Sequence, residues 1–540
     1  MKRSIALILG SLMSAMCLTA CGGGGGNSGN QTTDADYYTI TVACQTEMGE
    51  EEVLRVLKAR YEELHKDRKV EIKTFSGEGF EQYMLGIASE QSSSPNIIWT
   101  ADTYHSQWDQ YFVDLRPYYE ASAETDYSLY YETMLDAAST NGCFKPTKNY
   151  TNPLGAFDRE LDANSDGKED YKNQSEYGLY YAPRDYNKPA ILCNTHLFDE
   201  LDGDYETVYK AVNGVSTMPT DYKKTRARLS EIVAGQDWDE FGDLPAFAKM
   251  VAERMAYIAN NSSATSDRNM GRKWSQRAAL NLFLEWEPTY TTLMKDMGID
   301  ILRDDGSLDL ASYEAKWEAL HAQLFPSATD LDKQIAGFMM TTNGGIQFSS
   351  GNLFMSVCSR PVVLGYRNTF QGTYGSACLE TISFPVEDIA AGNSGYAISN
   401  IWEGKGISVD GVYKSYTDLS WDFIKFIISE EGQEVAGETG LNIPVLKKLY
   451  SAETNGGVEP AWRKVESLGS MSHDAWVAGG ELRQDTYNIF KAEKRNAIRS
   501  VTKTFFVNLQ KVNYNEGSLA DLIAETVRSY NLQNPTENLR

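Results

Sequence analysis

A chain of 540 residues with 42% apolar content is long enough to bury two separate cores. Its net charge of −25 at pH 7 argues against nucleic acid or anionic lipid as the main partner. Beyond the first twenty residues no run is apolar and long enough for a membrane span, which needs about 20 residues.

The chain begins with Lys2 and Arg3, an apolar run over residues 5–16, and then Leu18, Thr19, Ala20 and Cys21. A charged start, a short apolar stretch and small residues before a cut describe an export signal, here residues 1–20. The layout resembles a bacterial lipoprotein signal, and that resemblance implies a diacylated Cys21 as the mature N-terminus. Loss of Lys2 and Arg3 makes the body two charges more negative. Residues 21–36, with glycine from Gly22 to Gly26 followed by Asn, Ser, Gln and Thr, have nothing to bury and read as a flexible leash. A random coil of that length reaches about 20 Å.

Strand and helix signals then alternate. Residues 38–43 (YTITVA) form a predicted strand, 50–66 a helix with apolar positions at Val53, Val56, Leu57 and Leu64, and 70–75 a second strand. A helix over 80–89 and a strand over 96–100 follow. This order predicts a mostly parallel sheet with helices on its faces, whose ligands sit beyond the carboxyl ends of the strands, near Gln45, Gly77 and Ala101. Cys44, Cys143, Cys193, Cys358 and Cys378 are odd in number and irregularly spaced. They read as small buried residues, with a Cys358–Cys378 bridge as the alternative.

Several segments carry a family resemblance. Ser94-Pro95-Asn96-Ile97-Ile98-Trp99 with Asp102, then Phe112-Val113-Asp114-Leu115-Arg116-Pro117-Tyr118, resembles the first-lobe signature of the family 1 extracellular solute-binding proteins, the sugar-binding subunits of ABC importers. Tyr177 to Tyr186 leading into Ile191-Leu192-Cys193-Asn194 is similar to the family's first crossover, and Gly395-Tyr396-Ala397-Ile398-Ser399 to its return strand. The helix from Trp421 to Ile427 and the stretch Thr439 to Val445 extend the likeness, which runs from about residue 38 to 450. The resemblance implies an α/β, two-lobed, periplasmic-binding-protein-like fold (type II), with mostly parallel sheets flanked by helices and crossover hinge strands. It places lobe 1 at residues 37–191 plus 396–470 and lobe 2 at 192–395 plus 471–540. Extra length at 121–174 and 204–273, rich in Tyr, Asp, Asn and Ser, looks like surface elaboration or a wider binding face.

The family further implies a monomeric, non-enzymatic, extracytoplasmic lipoprotein held to the outer face of the cell membrane by its anchor alone. It captures a carbohydrate between its lobes, requires no cofactor, binds no nucleic acid and delivers its ligand to ABC permease subunits. Sugar hydroxyls want carboxylates, amides and guanidinium groups, while the C–H faces pack on aromatic rings. Asp102, just past a strand, and Glu47, after the first, are the expected polar contacts. Trp286 and Tyr290 resemble stacking aromatics of the second lobe in maltose-binding relatives, and Tyr186 and Tyr396 flank the two crossovers. Where relatives often carry a stacking tryptophan after a G-K-x-A-M segment, this chain has Ser359-Arg360-Pro361. Arg360 can grip hydroxyls or a carboxylate, which leaves an acidic sugar beside a neutral oligosaccharide.

Asp162, Asn164 and Asp166 at positions 1, 3 and 5, Gly167 at 6, Lys168 at 7 and Asp170 at 9 match an EF-hand-like loop. Asn173 replaces the bidentate Glu at position 12, so a structural Ca2+ there is weakened or borrows a ligand such as Glu176. Two other classes stay open. A surface glycan-active enzyme would need a carboxylate pair, which the 75 acidic residues make easy to invent and hard to identify. An adhesin would use the same anchor and leash without a hinge, and polyamine, peptide or sugar-acid ligands would suit the same receptor. No H-E-x-x-H, G-x-S-x-G or P-loop occurs, and the five histidines do not cluster at metal spacing.

Overall fold

β1 (Tyr38–Gln45) and β2 (Arg68–Phe75) alternate β-branched with polar residues and pair in parallel along their full length, from Tyr38 opposite Arg68 to Gln45 opposite Phe75. Between them α1 (Glu50–Leu64) starts after Gly49, whose φ is 71°, with Glu50, Glu51 and Glu52 in the first turn, where the positive end of the helix favours acid. Its buried face is Val53, Leu54, Leu57 and Tyr61. Val56 and Leu64, expected on that face, are 36% and 44% exposed. The buried arc centres on Leu57 and Tyr61, so Val56 falls off its edge and Leu64 lies in the last turn.

The structure is a computed structural model and describes residues 35–46, 49–76, 94–101, 108–139, 144–147, 178–234, 241–267, 269–283, 287–301, 308–324, 344–375, 378–386, 389, 391–465, 473–477 and parts of 501–539. Cys21, Glu47, the expected helix 80–89, Asp102, Cys143, the 162–173 loop and Trp286 lie outside the described residues.

Two sheets organise the rest. In the first the order is β2-β1-β3-β9-β4, with β3 (Ile97–Ala101) parallel to β1 and β9 (Gly392–Ile398) antiparallel to both β3 and β4 (Ala182–Asn187). In the second the order is β6-β7-β5-β8, with β6 (Ala278–Asn281) and β7 (Leu353–Cys358) parallel. There β5 (Ala190–Asn194) runs against both β7 and β8 (Leu379–Ser383). The chain leaves the first sheet through β4, crosses Lys188 and Pro189, and enters the second as β5; it returns from β8 to β9. The strand that arrives by each crossover is the one running against its neighbours, so the sheets are mixed, with one reversed strand each.

One apolar cluster gathers Ile40, Val42, Leu57, Ile98, Phe423 and Ile427 about the first sheet, and another gathers Cys193, Phe198, Leu201, Phe247, Met255 and Phe354 about the second. α2 (Thr195–Asn213) starts on the second sheet where the Asn194 side chain accepts from Leu197 N at 3.2 Å and ends at Gly214 in the left-handed region. Much of what is described of the stretch 204–273 is helical, over Thr195–Asn213, Thr225–Ala234, Asp243–Asn261 and Asn269–Ser275, and these helices contribute to this core. Within it α3 (Asp243–Asn261) buries Leu244, Phe247, Val251, Met255 and Ile258 on one face, a 3.6-residue periodicity that the polar composition of the stretch obscures. Cys44, Cys193, Cys358 and Cys378 are buried and free, so the alternative Cys358–Cys378 bridge is not formed. Among the described residues no helix is long and apolar enough to cross a membrane.

Candidate functional site

Two buried polar groupings lie where the crossover strands meet the later part of the chain. The first is built on β4 and β9. Arg184 Nη2 donates to Glu50 Oε2 at 2.5 Å, Asp185 Oδ2 at 2.8 Å and Ser394 Oγ at 3.4 Å, and the Tyr396 hydroxyl donates to Glu50 Oε1. Asp185 Oδ1 accepts from the Ser394 backbone N–H at 3.1 Å and its hydroxyl at 2.7 Å. Burial pushes the Glu50 carboxyl up, against the pull of Arg184. Gln433 joins this network to the later chain, donating to Arg184 O at 2.9 Å and accepting from Val445 N at 2.9 Å. The grouping ties the start of α1 to both crossover strands, and it depends on close approach: a Cβ on Gly395 would lie 1.9 Å from Ala182 O, beside the register shift between Pro183 and Asp185.

The second grouping surrounds Arg360, first residue of α4 (Arg360–Thr373), which follows β7. Its Nε donates to Gly440 O at 2.5 Å and Nη2 to Trp462 O at 2.9 Å, and Nη1 lies 3.2 Å from His473 Nδ1. Arginine has donors only, so His473 Nδ1 accepts and the ring is neutral. Burial, then Arg360 and Arg463, push the His473 imidazole down to about 4. Two guanidiniums approach the Trp462 ring, Arg360 at 5.1 Å and Arg463 at 4.6 Å from its centroid. Arg463 has its own partners, Asp474 Oδ1 at 2.8 Å and Tyr450 O at 3.0 Å. Tyr186 approaches from β4: its backbone N–H donates to Ile443 O at 3.2 Å, and its buried phenol feels the charges of Arg463 and Arg360.

Of the expected contacts, Tyr186 and Arg360 therefore belong to one grouping and Tyr396 to the other. Tyr290 is 1% exposed within the second apolar cluster, on the helix Glu287–Asp296. All four are buried. Trp462, Arg463, His473 and Asn442 were not singled out by residue type, although an asparagine inside the apolar run Leu441-Asn442-Ile443-Pro444-Val445 and an adjacent Trp-Arg pair are visible in the sequence. Among the described residues no group of three or more His, Cys, Asp or Glu side chains is placed to hold a metal ion.

No protein-family profile matches the chain, and no curated protein sequence matches it. Solved structures do. The chain is similar to the GacH receptor of Streptomyces glaucescens, described unliganded and with acarbose, at 13% identity and a TM-score of 0.53 over 92% of this chain and 98% of that one. A maltose-bound MalE3 of T. maritima aligns at 10% identity and TM-score 0.53, over 92% of this chain and 99% of that one. An ABC substrate-binding protein of Listeria monocytogenes in complex with cycloalternan aligns at 13% identity and TM-score 0.54, over 93% of this chain and all of that one. The fold is thus the α/β, periplasmic-binding-protein-like fold of MalE-type solute-binding proteins, as the sequence resemblance implies.

Proposed function

We propose that this protein is an extracytoplasmic solute-binding lipoprotein that captures a carbohydrate, an oligosaccharide, and delivers it to an ABC permease. The observation that carries the reading is the fold: alignment over more than nine-tenths of the chain with proteins whose described ligands are maltose, acarbose and cycloalternan. The paired crossovers β4–β5 and β8–β9 supply the two-sheet connection that a closing receptor uses, in which ligand contacts favour one arrangement of the halves over another. The same crossovers support a division of the chain near residues 191 and 396. The leader-like start and the glycine-rich stretch after it support Cys21 as the anchor and a body outside the membrane. Catalysis forms no part of this reading. Ca2+ held by the 162–173 loop would brace that insertion, and Asp166→Ala should abolish calcium binding while sugar affinity is unchanged.

A thermal-shift screen of the purified protein against mono- and oligosaccharides, uronic acids, polyamines and peptides, with product analysis of each hit, tests the proposal. A saturable rise in Tm with one sugar class and no product supports it. Turnover of a bound glycan would replace it with an enzyme, and stabilisation by a polyamine or peptide alone would keep the receptor and discard the carbohydrate.

A further inference from the structure

Arg360 is 1% exposed and carries a charge that no carboxylate among the described residues balances. Its hydrogen-bond partners are two backbone carbonyls and a neutral histidine. A buried guanidinium cannot shed its proton the way a lysine does, and an unpaired buried charge is costly. Two features make the surroundings more positive still. Arg463 also lies against the Trp462 ring, and Arg360 stands at the N-terminus of the 14-residue helix α4, whose backbone dipole presents positive charge there. Arg463 is matched by Asp474, so the imbalance is centred on Arg360.

The segments that Arg360 and Tyr186 hold carry donors with nothing to donate to among the described residues. The Tyr186 hydroxyl and Asn442 Nδ2 are buried and have no partner among the described residues. Asn442 lies two residues from Gly440, whose carbonyl Arg360 holds, and one from Ile443, whose carbonyl Tyr186 holds. The three carbonyl and imidazole contacts also leave two of the five guanidinium N–H groups unused. Spare donors gathered about an unbalanced cation are what a planar, two-oxygen anion completes, by charge-assisted bonds stronger than those between neutral groups. A neutral sugar hydroxyl would satisfy the donors and leave the charge.

We infer that the ligand carries a carboxylate, as in a uronic acid, and that Arg360 grips it where the start of α4 meets the Gly440–Asn442 and Trp462 segments, with the Tyr186 hydroxyl and the Asn442 amide as further donors. This rests on the carbohydrate reading above and narrows it to acidic sugars. The selectivity comes from pairing: replacing the carboxylate by an ester keeps size and hydroxyls and removes only the charge.

The test is calorimetric titration of the purified protein with a panel of uronic acid disaccharides, their methyl esters, neutral disaccharides and trisaccharides, and sodium phosphate. At least one acid should bind about a hundredfold more tightly than its own methyl ester, a difference of about 2.7 kcal/mol. Arg360→Gln should erase that preference, and Arg360→Lys should restore part of it. If acid and ester bind alike, or only neutral sugars bind, the inference falls and the carbohydrate receptor stands. Phosphate binding as tightly as any uronate would overturn the sugar-acid assignment in favour of a simple anion site. If no sugar of either kind binds, the carbohydrate reading itself fails. Should Arg360→Gln not fold, the comparison of acid with ester on the unaltered protein decides.

Discussion

Arg184 and Arg360 are both buried arginines of the crossover region, and their environments differ in one respect that sets their roles. Arg184 has Glu50 and Asp185 within 2.8 Å, so its charge is answered inside the protein, whereas Arg360 meets only carbonyls and a neutral ring. Arg184→Met should therefore cost about 3–5 kcal/mol of stability, because it strands two buried carboxylates, and urea denaturation would read this as a lowered midpoint. His473 gives a pH signature. Its ordinary value is 6.5 and the folded protein holds it at about 4, so between those limits the unfolded chain takes up a proton that the folded one refuses. The stability present above pH 6.5 is then lost as pH falls toward 4. His473→Asn should make the fall in Tm over that range shallower than in the unaltered protein; equal slopes would show that the ring is not held neutral.

At the scale of elements, the crossover strands carry the most constraint. β9 passes β4 so closely that Gly395 has room for no side chain, the obstacle being backbone rather than a movable group. Gly395→Ala should lower Tm by several degrees or prevent folding, whereas Gly214→Ala, with open space about it but a φ of 65°, should cost only about 1 kcal/mol in strain. Scanning calorimetry of the two variants separates close approach from backbone conformation. The elements with strong periodicity were legible: β1, α1, β2 and β3 lie where alternation and helical spacing put them. The helical stretch through α3 was not, because its apolar face is diluted by Lys, Glu, Arg, Asn and Tyr on the other faces, and composition averages over faces that a helix keeps apart.

For the whole molecule the anchor and the fold make separate predictions. On the proposed anchoring, Cys21→Ala should release the protein from the membrane fraction without changing the Tm of the body, measured by fractionation and thermal shift, since the composition of residues 22–34 offers nothing to bury. The sequence by itself determined what depends on local pattern, the alternation of strands and helices, and, through ordered short motifs, the two-lobed fold; the export leader and the leash are its expectations. It also picked out Tyr186 and Arg360 individually. Only the tertiary structure decided that these two share one grouping with Trp462 and His473, residues spread from 186 to 473 in the chain. It also decided that Tyr396 serves a different network with Glu50, and that Tyr290 is core. Whether an arginine is balanced depends on which carboxylates arrive beside it from distant segments. That is a sum over three-dimensional neighbours, and spacing along the chain does not contain it.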